Sequence, residues 1–297
     1  MLNISINLHT FIAPKLHFMK SLQLRLLSLM LLISPLAKSQ SDLEFTGAVG
    51  VARYYGDLVQ SSPFFRQPSF AISLGANHYF SPHWAIRGDL SFLTVKGNDS
   101  KNKRDDLKAR NLSFKSNIWD FSVAGQYDVI DLSSGEHSIT PYVFLGVGFF
   151  HFNPTTVDRF GNKINLKLKG TEGQGTAAYP DRQPYKTTQL QLPFGFGVKY
   201  NVNESMSLGL EFKYRYIDTD YLDDVSMAGY PDMAVLAAKD PTLPGLAYRG
   251  DELPGGAPYP PKNGGLNRGN PDNNDAYYSF QAKFTWRFKN NRIQINY

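Results

Sequence analysis

Apolar and polar residues alternate strictly along most of this chain, and this pattern constrains its fold more than any other feature. In Met206–Tyr216 the even-numbered positions are apolar or aromatic, whereas the odd-numbered positions are Ser, Gly, Glu, Lys and Arg. Successive side chains of a β-strand point to opposite faces, so a period of two predicts a strand with one apolar and one polar face. The pattern predicts an all-β chain with eight strands: Phe45–Tyr54, Phe70–Phe80, His83–Val95, Ile118–Val129, Pro141–Phe152, Gln189–Tyr200, Met206–Tyr216 and Ala276–Phe288.

Two eight-stranded architectures fit this alternation. A soluble sandwich or lipocalin-like barrel buries the apolar face, whereas an outer-membrane barrel turns that face toward lipid and packs the polar face inside. Predicted strands of ten to thirteen residues suit a tilted crossing of a bilayer. Aromatic residues end the apolar faces, where membrane barrels carry their interfacial girdles. These residues are Trp84, Tyr127, Tyr200, Tyr214, Tyr216, Tyr278 and Trp286.

The connections between the predicted strands alternate between short and long. The short ones are Phe80–His83, Ile130–Ser138 and Asn201–Ser205. The long ones are Gly56–Ser69, Lys96–Lys115, Asn153–Thr188 and Thr219–Asp275. An outer-membrane barrel with both termini in the periplasm has short periplasmic turns and long extracellular loops. The sequence therefore favours an eight-stranded antiparallel transmembrane β-barrel of the cell outer membrane over the soluble alternative.

The N-terminal region has the pattern of a secretory signal peptide. Lys20 and Arg25 form a basic segment, Leu26–Leu36 is apolar, and Ala37, Lys38 and Ser39 form a small-x-small cleavage site. About eleven apolar residues are too few for a transmembrane helix of roughly 20 residues. We therefore predict a signal peptide over 1–39, with Met19 as an alternative start, a barrel domain over 40–289 and a periplasmic tail over 290–297.

Composition excludes several kinds of chemistry and of partner. The chain has no Cys, which excludes disulfides, Cys-ligated metals, a thiol nucleophile and a lipid-modified N-terminal Cys. The net charge of +5 would suggest nucleic acid or an anionic membrane surface as a partner. However, the predicted signal peptide holds four basic residues and no acidic residue, so 27 basic and 26 acidic residues remain. We therefore predict outer-membrane lipid as a partner, and no nucleic acid.

The polar faces of the strands carry charges that a closed barrel would bury. Side chains fill the interior of an eight-stranded barrel, and an unpaired charge there costs several kcal/mol. We therefore expect Asp89, Asp120 and Glu211 to neutralise the basic residues in a polar plug; the alternative is a path for protons or ions. The predicted interior set is Arg87, Asp89, Asp120, Lys199, Glu211, Lys213, Arg215, Lys283 and Arg287.

Groups suited to catalysis are sparse. Three of the four His residues that follow the predicted signal peptide lie at or near short turns, and the fourth, His151, faces outward. Their spacing does not assemble a nucleophile, a base and an orienting group. Gly146–Gly148 and Gly195–Gly197 lack the third Gly and the helix of a nucleotide-binding motif, and we expect such inward glycines to relieve crowding. We therefore predict no enzyme, no cofactor and no metal site.

Two segments of the long loops have a distinctive composition. Lys96–Arg110 is rich in charges of nearly balanced sign, which favours a solvated loop over a ligand site. Tyr230–Pro271 contains eight Pro and seven Gly, a composition typical of segments with little regular structure. We therefore expect the Pro/Gly-rich part of the loop over 227–275 to be disordered or to fold on a partner.

Short motifs occur at the borders between the strands and the outer loops. They are Arg53–Leu58 (RYYGDL), Arg110–Asn117 (RNLSFKSN), Pro141–Phe144 with Phe152–Pro154, Gly170–Gly175 (GTEGQG) and Thr219–Ser226 (TDYLDDVS). In this order, and over about Leu43 to Phe288, they resemble the PorG-like outer-membrane barrels of Bacteroidetes. The positions we take as the signature are Tyr55, Gly56, Asp57, Arg110, Asn111, Ser116, Asn117, Glu172, Gly173, Tyr221, Asp223 and Asp224.

This resemblance implies a non-enzymatic component of the type IX secretion and gliding machinery. Such barrels are thought to hold a periplasmic ring of PorK-like lipoprotein and PorN-like protein near the outer membrane. The signature residues then either close the loops, through hydrogen bonds of Asp57, Asp223 and Asp224, or contact a partner. The alternative function is a surface-exposed structural or adhesion barrel without machinery partners. A third candidate function, that of an enzyme that modifies lipid or peptide, would depend on His151.

Overall fold

The computed structural model describes residues 42–59, 67–133, 135–260 and 267–288. The predicted signal peptide over 1–39 and the predicted tail over 290–297 lie outside the described residues. Part of the first long loop lies outside them as well.

The described strands form one antiparallel sheet that closes on itself. In chain order they are β1 (Asp42–Tyr55), β2 (Ser69–Tyr79), β3 (Trp84–Asn98), β4 (Ser113–Asp128), β5 (Ile139–Val157), β6 (Lys163–Asn165), β7 (Thr188–Asn201), β8 (Met206–Ile217) and β9 (Ala276–Phe288). Strand β6 only forms a short hairpin with β5, whereas the other eight are each paired on both sides. The pairings of β1 with β9 and of β4 with β5 complete the ring. The predicted eight-stranded antiparallel barrel is confirmed.

The apolar face of each strand lies on the outside of this barrel. Leu74, Leu145 and Leu190 are 63%, 66% and 64% exposed, whereas Arg87 and Arg215 are at most 1% exposed. A soluble barrel would show the opposite distribution, because water would face the charged residues. An apolar exterior around a charged interior is the arrangement of a barrel that spans a membrane.

Two pairs of aromatic rings mark the height of the apolar belt on β3 and β4. Trp84 and Tyr127 lie near its lower end and Phe92 and Trp119 near its upper end, each pair with ring centroids 4.9 Å apart. The eight residue steps from Trp84 to Phe92 span about 26 Å along the strand, or about 20 Å along the membrane normal for a tilt of about 40°. This is close to the roughly 25 Å belt of outer-membrane barrels. The long loops leave the barrel at the end of the Phe92–Trp119 pair, which we call the outer end.

The outer loops contain helices, including the Pro/Gly-rich segment, where we expected little regular structure. The described ranges include α1 (Asp105–Arg110), α2 (Met233–Lys239) and α3 (Pro244–Ala247). None of the helices in these ranges has the length and apolarity that a membrane crossing requires.

The Pro/Gly-rich segment differs from its prediction because its breakers are unevenly distributed. The run from Met233 to Lys239 contains no Pro or Gly and favours a helix. Asp232 caps this helix by accepting a hydrogen bond from the backbone N–H of Ala234 at 2.7 Å. Leu236 and Leu243 are fully buried in a small core that holds α2 and α3 together. Composition averaged over the whole segment concealed this helix.

The charge-rich loop after β3 also differs in part from its prediction. Strand β3 continues to Asn98, and α1 occupies the second half of the loop. At the base of the loop, Arg110 Nε lies 2.7 Å from Asp99 Oδ2, and both side chains are almost completely buried. Lys108 and Asp105 of α1 form an exposed pair. The loop is therefore solvated along its outer surface but is held by a buried ion pair.

Candidate functional site

The structure places the nine predicted interior residues on the inner face of the barrel. We call these nine residues, together with Glu44 and Asp128, the interior network. Arg87 lies at its centre: Nη2 is 2.8 Å from Asp89 Oδ2, and Nη1 is 2.8 Å from Glu211 Oε2. Lys213 Nζ lies 2.8 Å from Asp89 and Lys283 Nζ lies 3.1 Å from Glu211. Two carboxylates are thus shared among three basic side chains.

A second part of the interior network lies closer to the outer end. Arg215 Nη2 is 3.1 Å from Asp120 Oδ2, and its Nη1 donates a hydrogen bond to Ser279 Oγ at 2.6 Å. Both charged side chains are at most 1% exposed. Buried ion pairs of this kind require additional hydrogen bonds to offset the desolvation of both charges.

The third part of the interior network contains two acidic residues that the sequence analysis missed. Lys199 Nζ lies 2.7 Å from Asp128 Oδ2 and 3.8 Å from Glu44 Oε1, and Arg287 Nη2 lies 2.8 Å from Glu44 Oε1. Glu44 precedes the first predicted strand by one residue, and Asp128 lies at the end of its strand. Both have the inward parity of their strands. Extending the first predicted strand by one residue would have found Glu44, whereas Asp128 lies inside the predicted strand Ile118–Val129 and follows from the alternation directly.

Aromatic side chains fill the space between the charges. The Tyr142 hydroxyl donates a hydrogen bond to Glu211 Oε2 at 2.9 Å, and the Arg87 guanidinium carbon lies 4.2 Å from the centroid of the Phe144 ring. Gly197 faces Tyr142, and a Cβ at this position would collide with the Tyr142 ring. The inward glycine thus provides the space that a large aromatic residue occupies, as the sequence analysis expected.

Loop residues that are far apart in the sequence meet above the outer end of the barrel. We call this set the outer cap: Asp57, Arg110, Thr171, Glu172, Tyr185, Asp220, Asp223, Asp224, Arg268 and Asp275. Arg268 joins several of the loops. Its Nη1 lies 2.5 Å from Glu172 Oε1 and donates to the Asp224 carbonyl at 3.0 Å, and its Nη2 donates to Thr171 Oγ1 at 2.9 Å. This arginine was not among the predicted site residues.

Glu172 and Asp224 fix the backbone of the cap. Glu172 Oε1 accepts hydrogen bonds from the backbone N–H groups of Ser226 and Met227, each at 3.0 Å. Asp224 has a φ of 69°, and its Oδ1 accepts a hydrogen bond from the Tyr185 hydroxyl at 2.8 Å. Next to Glu172, Gly173 has a φ of 82°, which favours glycine.

A second group of cap residues surrounds the end of β1. The Tyr54 hydroxyl lies 2.5 Å from Asp223 Oδ2 and 2.9 Å from Asp275 Oδ1, and Asp57 Oδ2 accepts the backbone N–H of Asn270 at 2.9 Å. A Cβ at Gly56 would collide with both Asp275 and Tyr54, so the close approach requires glycine there.

The cap contains more buried carboxyl groups than basic groups. Burial, together with the neighbouring acidic residues, raises the pKa of Asp223 and of Asp275 well above the usual range. Burial raises the pKa of Asp224 to about 6 despite the nearby Arg268, and burial beside Asp223 raises the pKa of Asp220 to about 9. Neither carboxyl oxygen of Asp220 has a hydrogen-bond partner among the described residues. These raised pKa values favour the protonated form of the cap carboxyl groups.

The remaining signature residues lie in three different places. Asn111, with a φ of 58°, ends α1 and donates a hydrogen bond to the Arg249 carbonyl at 3.0 Å, and the Tyr221 ring stacks on Tyr185 with centroids 4.7 Å apart. Ser116 faces inward and accepts the backbone N–H of Asn153 at 3.0 Å. Tyr55 and Asn117 face outward, so the structure does not bring them to the cap.

The described part of the chain shows little that resembles a catalytic or metal site. His151 Nδ1 lies 2.9 Å from Thr188 Oγ1 on the exposed outer wall. Within the described ranges, no group of three or more His, Asp or Glu side chains is arranged to hold a metal ion.

A closed barrel with an apolar exterior and a charged, filled interior belongs to the class of outer-membrane β-barrels. More specifically, the chain belongs to the family described as the outer membrane protein beta-barrel domain, whose pattern matches residues 24–232. No curated protein matches the chain.

Several solved structures are similar to this chain at low sequence identity. Ail of Yersinia pestis, solved with the heparin analogue sucrose octasulfate, is 9% identical with a TM-score of 0.38, over 84% of this chain and 97% of Ail. Neisserial surface protein A is 11% identical with a TM-score of 0.37, over 84% of this chain and 98% of that protein. A major outer membrane protein of Thermus thermophilus is 12% identical with a TM-score of 0.39, over 84% of this chain and all of that protein (100%).

Proposed function

We propose that this barrel is a non-enzymatic component of the type IX secretion machinery that helps to anchor its periplasmic ring. The proposal rests on the motifs that resemble PorG-like barrels, and one structural observation supports it above the others. Ion pairs and aromatic rings fill the interior, and loops cover its outer end. Such a barrel is suited to anchoring a partner rather than to conducting a cargo.

The periplasmic face then carries the contact with the ring. The described connections on this side are short, and the longest of them runs from 129 to 138. Asp131 shapes this turn by accepting the backbone N–H of Ser133 at 2.7 Å. In this proposal a PorK-like lipoprotein or a PorN-like protein contacts this turn.

Affinity purification of the full-length protein from native membranes tests the proposal. We expect the wild-type barrel to recover PorK-like and PorN-like proteins. A variant with a Gly/Ser turn of equal length in place of 130–137 is expected to fold and to lose these partners, whereas replacing the turn over 80–83 serves as the matched control. Recovery of no ring component by the wild-type protein, together with undiminished export of type IX cargo after deletion of the gene, would contradict the proposal.

A specific feature of the outer surface favours a second function, a surface-exposed structural or adhesion barrel. An open cavity of about 540 Å³ lies between the β5–β6 hairpin and the Pro/Gly-rich segment. Phe160 and Met233 line it and are 79% and 53% exposed, well beyond the apolar belt. Large apolar side chains at such positions often mark contact surfaces. The same purification distinguishes the two functions, because an adhesion barrel recovers no ring component.

The filled interior also predicts an electrical property of the protein. We expect the wild-type barrel in a planar bilayer to give no steady large conductance, because the interior network occupies the lumen. A steady large conductance from the wild-type protein would show that the interior is a pathway and not a plug. The empty bilayer and a porin of known conductance are the two controls.

A further inference from the structure

Two lysines lie directly opposite each other on the lipid-facing wall, just beyond the apolar belt. Lys96 of β3 pairs in register with Lys115 of β4, and both belong to the outward set of their strands. Directly opposed residues on adjacent antiparallel strands have Cβ atoms about 4.5–5.5 Å apart, and like charges at such positions destabilise a sheet. Among the described residues, neither ammonium group forms an ion pair or a hydrogen bond that would relieve this repulsion.

The outward neighbours of the two lysines are polar but uncharged. On the rung below, Thr94 Oγ1 donates a hydrogen bond to Asn117 Oδ1 at 2.9 Å, and Asn153 lies opposite Asn117. Beside Lys115, Thr155 donates to the Lys115 carbonyl at 2.9 Å. No acidic residue occupies these outward positions of the described strands, so these strands supply no counter-ion at this height.

The position of this pair relative to the membrane identifies the kind of counter-ion. The lysines lie four residues beyond Phe92 and Trp119, which is about 13 Å along the strand or about 10 Å along the membrane normal. The hydrocarbon core is about 30 Å thick and the whole bilayer about 40–45 Å, so headgroups begin just beyond the aromatic pair. A lysine side chain reaches down into this layer because it extends its ammonium group toward the interface.

The wall directly below the lysines is suited to hold acyl chains. Trp119, Phe121 and Phe149 are 54%, 52% and 58% exposed on adjacent strands. On the other wall, Tyr214, Tyr216 and Tyr278 end the apolar faces of β8 and β9, without a comparable pair of unpartnered lysines in the described strands. Among the described strands, a pair of outward lysines and an apolar surface directly below it coincide on the wall of β3, β4 and β5.

We propose that Lys96 and Lys115 form a site for the phosphate headgroup of an anionic lipid in the outer leaflet, whose acyl chains lie on Trp119, Phe121 and Phe149. The phosphate lies between the two ammonium groups and removes their mutual repulsion. Asn117 and Thr155 flank it as neutral polar residues. This site is independent of the function proposed above, since it concerns the wall of the barrel and not its periplasmic turns.

Quenching of Trp119 fluorescence by brominated lipids tests this site. The full-length protein with Trp84→Phe and Trp286→Phe retains Trp119 as its single tryptophan. It is reconstituted in phosphatidylcholine vesicles that contain brominated phosphatidic acid or, in a parallel series, brominated phosphatidylcholine. Each lysine near an anionic lipid contributes about a fivefold preference for that lipid over a neutral one. We therefore expect the site to favour phosphatidic acid over phosphatidylcholine by at least about fivefold.

Variants at the two lysines give the decisive comparison. In the same single-tryptophan background, we expect both lipids to quench Trp119 equally in K96Q/K115Q. K96R/K115R is expected to keep the preference for phosphatidic acid. The variant of two exposed loop lysines, K101Q/K103Q, is expected to keep it as well. Equal quenching by both lipids in the parent protein, or a preference that survives K96Q/K115Q, would overturn the proposal. Millimolar inorganic phosphate is expected to leave quenching unchanged; displacement of the lipid by phosphate would instead indicate a site for the free ion.

A stability measurement separates lipid binding from a folding defect. In a neutral detergent, K96Q/K115Q is expected to unfold at the same temperature as the parent protein or higher, because it loses a like-charge contact. If K96Q/K115Q does not fold, the comparison of K115Q with K115R carries the same test, and equal lipid preference in these two variants would overturn the proposal.

Discussion

The interior network and the outer cap are both buried and highly charged, but they balance their charges differently. In the interior network, five acidic residues face six basic ones, and each acidic residue lies within 3.1 Å of a basic partner. In the outer cap, Arg110 and Arg268 face a larger number of carboxyl groups, and Asp220 forms no ion pair with a basic residue among the described residues. Basic residues neutralise the acidic residues of the interior, whereas burial raises the pKa of several carboxyl groups in the cap and favours their protonated form.

This difference implies that the two regions respond to different perturbations. Removing one charge from the interior network leaves the opposite charge uncompensated in a medium of low dielectric constant. The raised pKa values of Asp220 and Asp224 make the stability of the cap depend on pH, and we expect the substitution of an acidic residue without a basic partner, such as Asp220, to be tolerated better. We therefore expect the interior to set the stability of the barrel and the cap to respond to conditions outside the cell.

Removal of Glu211 is expected to have the largest effect. E211A leaves Arg87 and Lys283 without their shared carboxylate and removes the acceptor of Tyr142. We expect the free energy of unfolding to fall by about 3–5 kcal/mol. Urea unfolding in lipid vesicles measures this loss.

The control for this measurement is D251N, which removes an acidic residue from a half-exposed pair with Arg159 and is expected to cost less than about 1 kcal/mol. Similar losses in E211A and D251N would show that the interior network contributes no more than a surface ion pair.

Removal of Arg268 is expected to open the cap while the barrel stays folded. R268Q leaves Glu172 and the Asp224 carbonyl without their buried donor, at a local cost on the order of 3 kcal/mol. We expect protease to cut the loop over 218–275 faster in R268Q than in the wild-type protein. On a gel, the barrel of R268Q is expected to show the same heat-modified migration as the wild-type barrel. R104Q, which alters an exposed pair with Asp106, is the matched control. Loss of the folded barrel in R268Q would contradict the independence of the two regions.

The contrast between the two regions also explains what the sequence made predictable. The alternation assigns Arg87 and Glu211 to the interior because a period of two fixes the direction of every side chain in a strand. It missed Glu44 only because the predicted strand began one residue too late. No local pattern brings Arg268 to Glu172, which is 96 residues away, because their contact depends on how two long loops fold over the barrel. Similarly, the Pro/Gly content of 230–271 concealed the helix that begins at Met233.

The pH dependence of the cap is expected to have a definite sign. The pKa of Asp224 is raised to about 6 and that of Asp220 to about 9, whereas an unfolded Asp titrates near ~4. Folding of the cap therefore takes up protons, so its stability is complete below about pH 4 and falls as the pH rises to about 6 and then to about 9. The part due to Asp224 is on the order of 2–3 kcal/mol.

Hydrogen exchange over residues 222–227, corrected for the intrinsic effect of pH on exchange, measures this dependence. We expect protection to fall between pH 5 and pH 9 and D220N to flatten the upper part of the curve. The amides of β7 in the barrel serve as the internal control and are expected to keep their protection. Protection of the cap that increases with pH would show that its carboxyl groups are ionised in the folded state.

The smallest effect is expected from crowding the interior without changing its charge. G197A places a Cβ against the Tyr142 ring, which must shift and weaken its 2.9 Å hydrogen bond to Glu211. Overpacking of this kind costs about 1–3 kcal/mol. G125A is the matched control, because a Cβ at this lipid-facing position meets no atom within 4 Å. If urea unfolding shows that G197A and G125A are equally stable, the interior has room to rearrange, and its resistance to ion flow would depend on the charge pairs rather than on close packing.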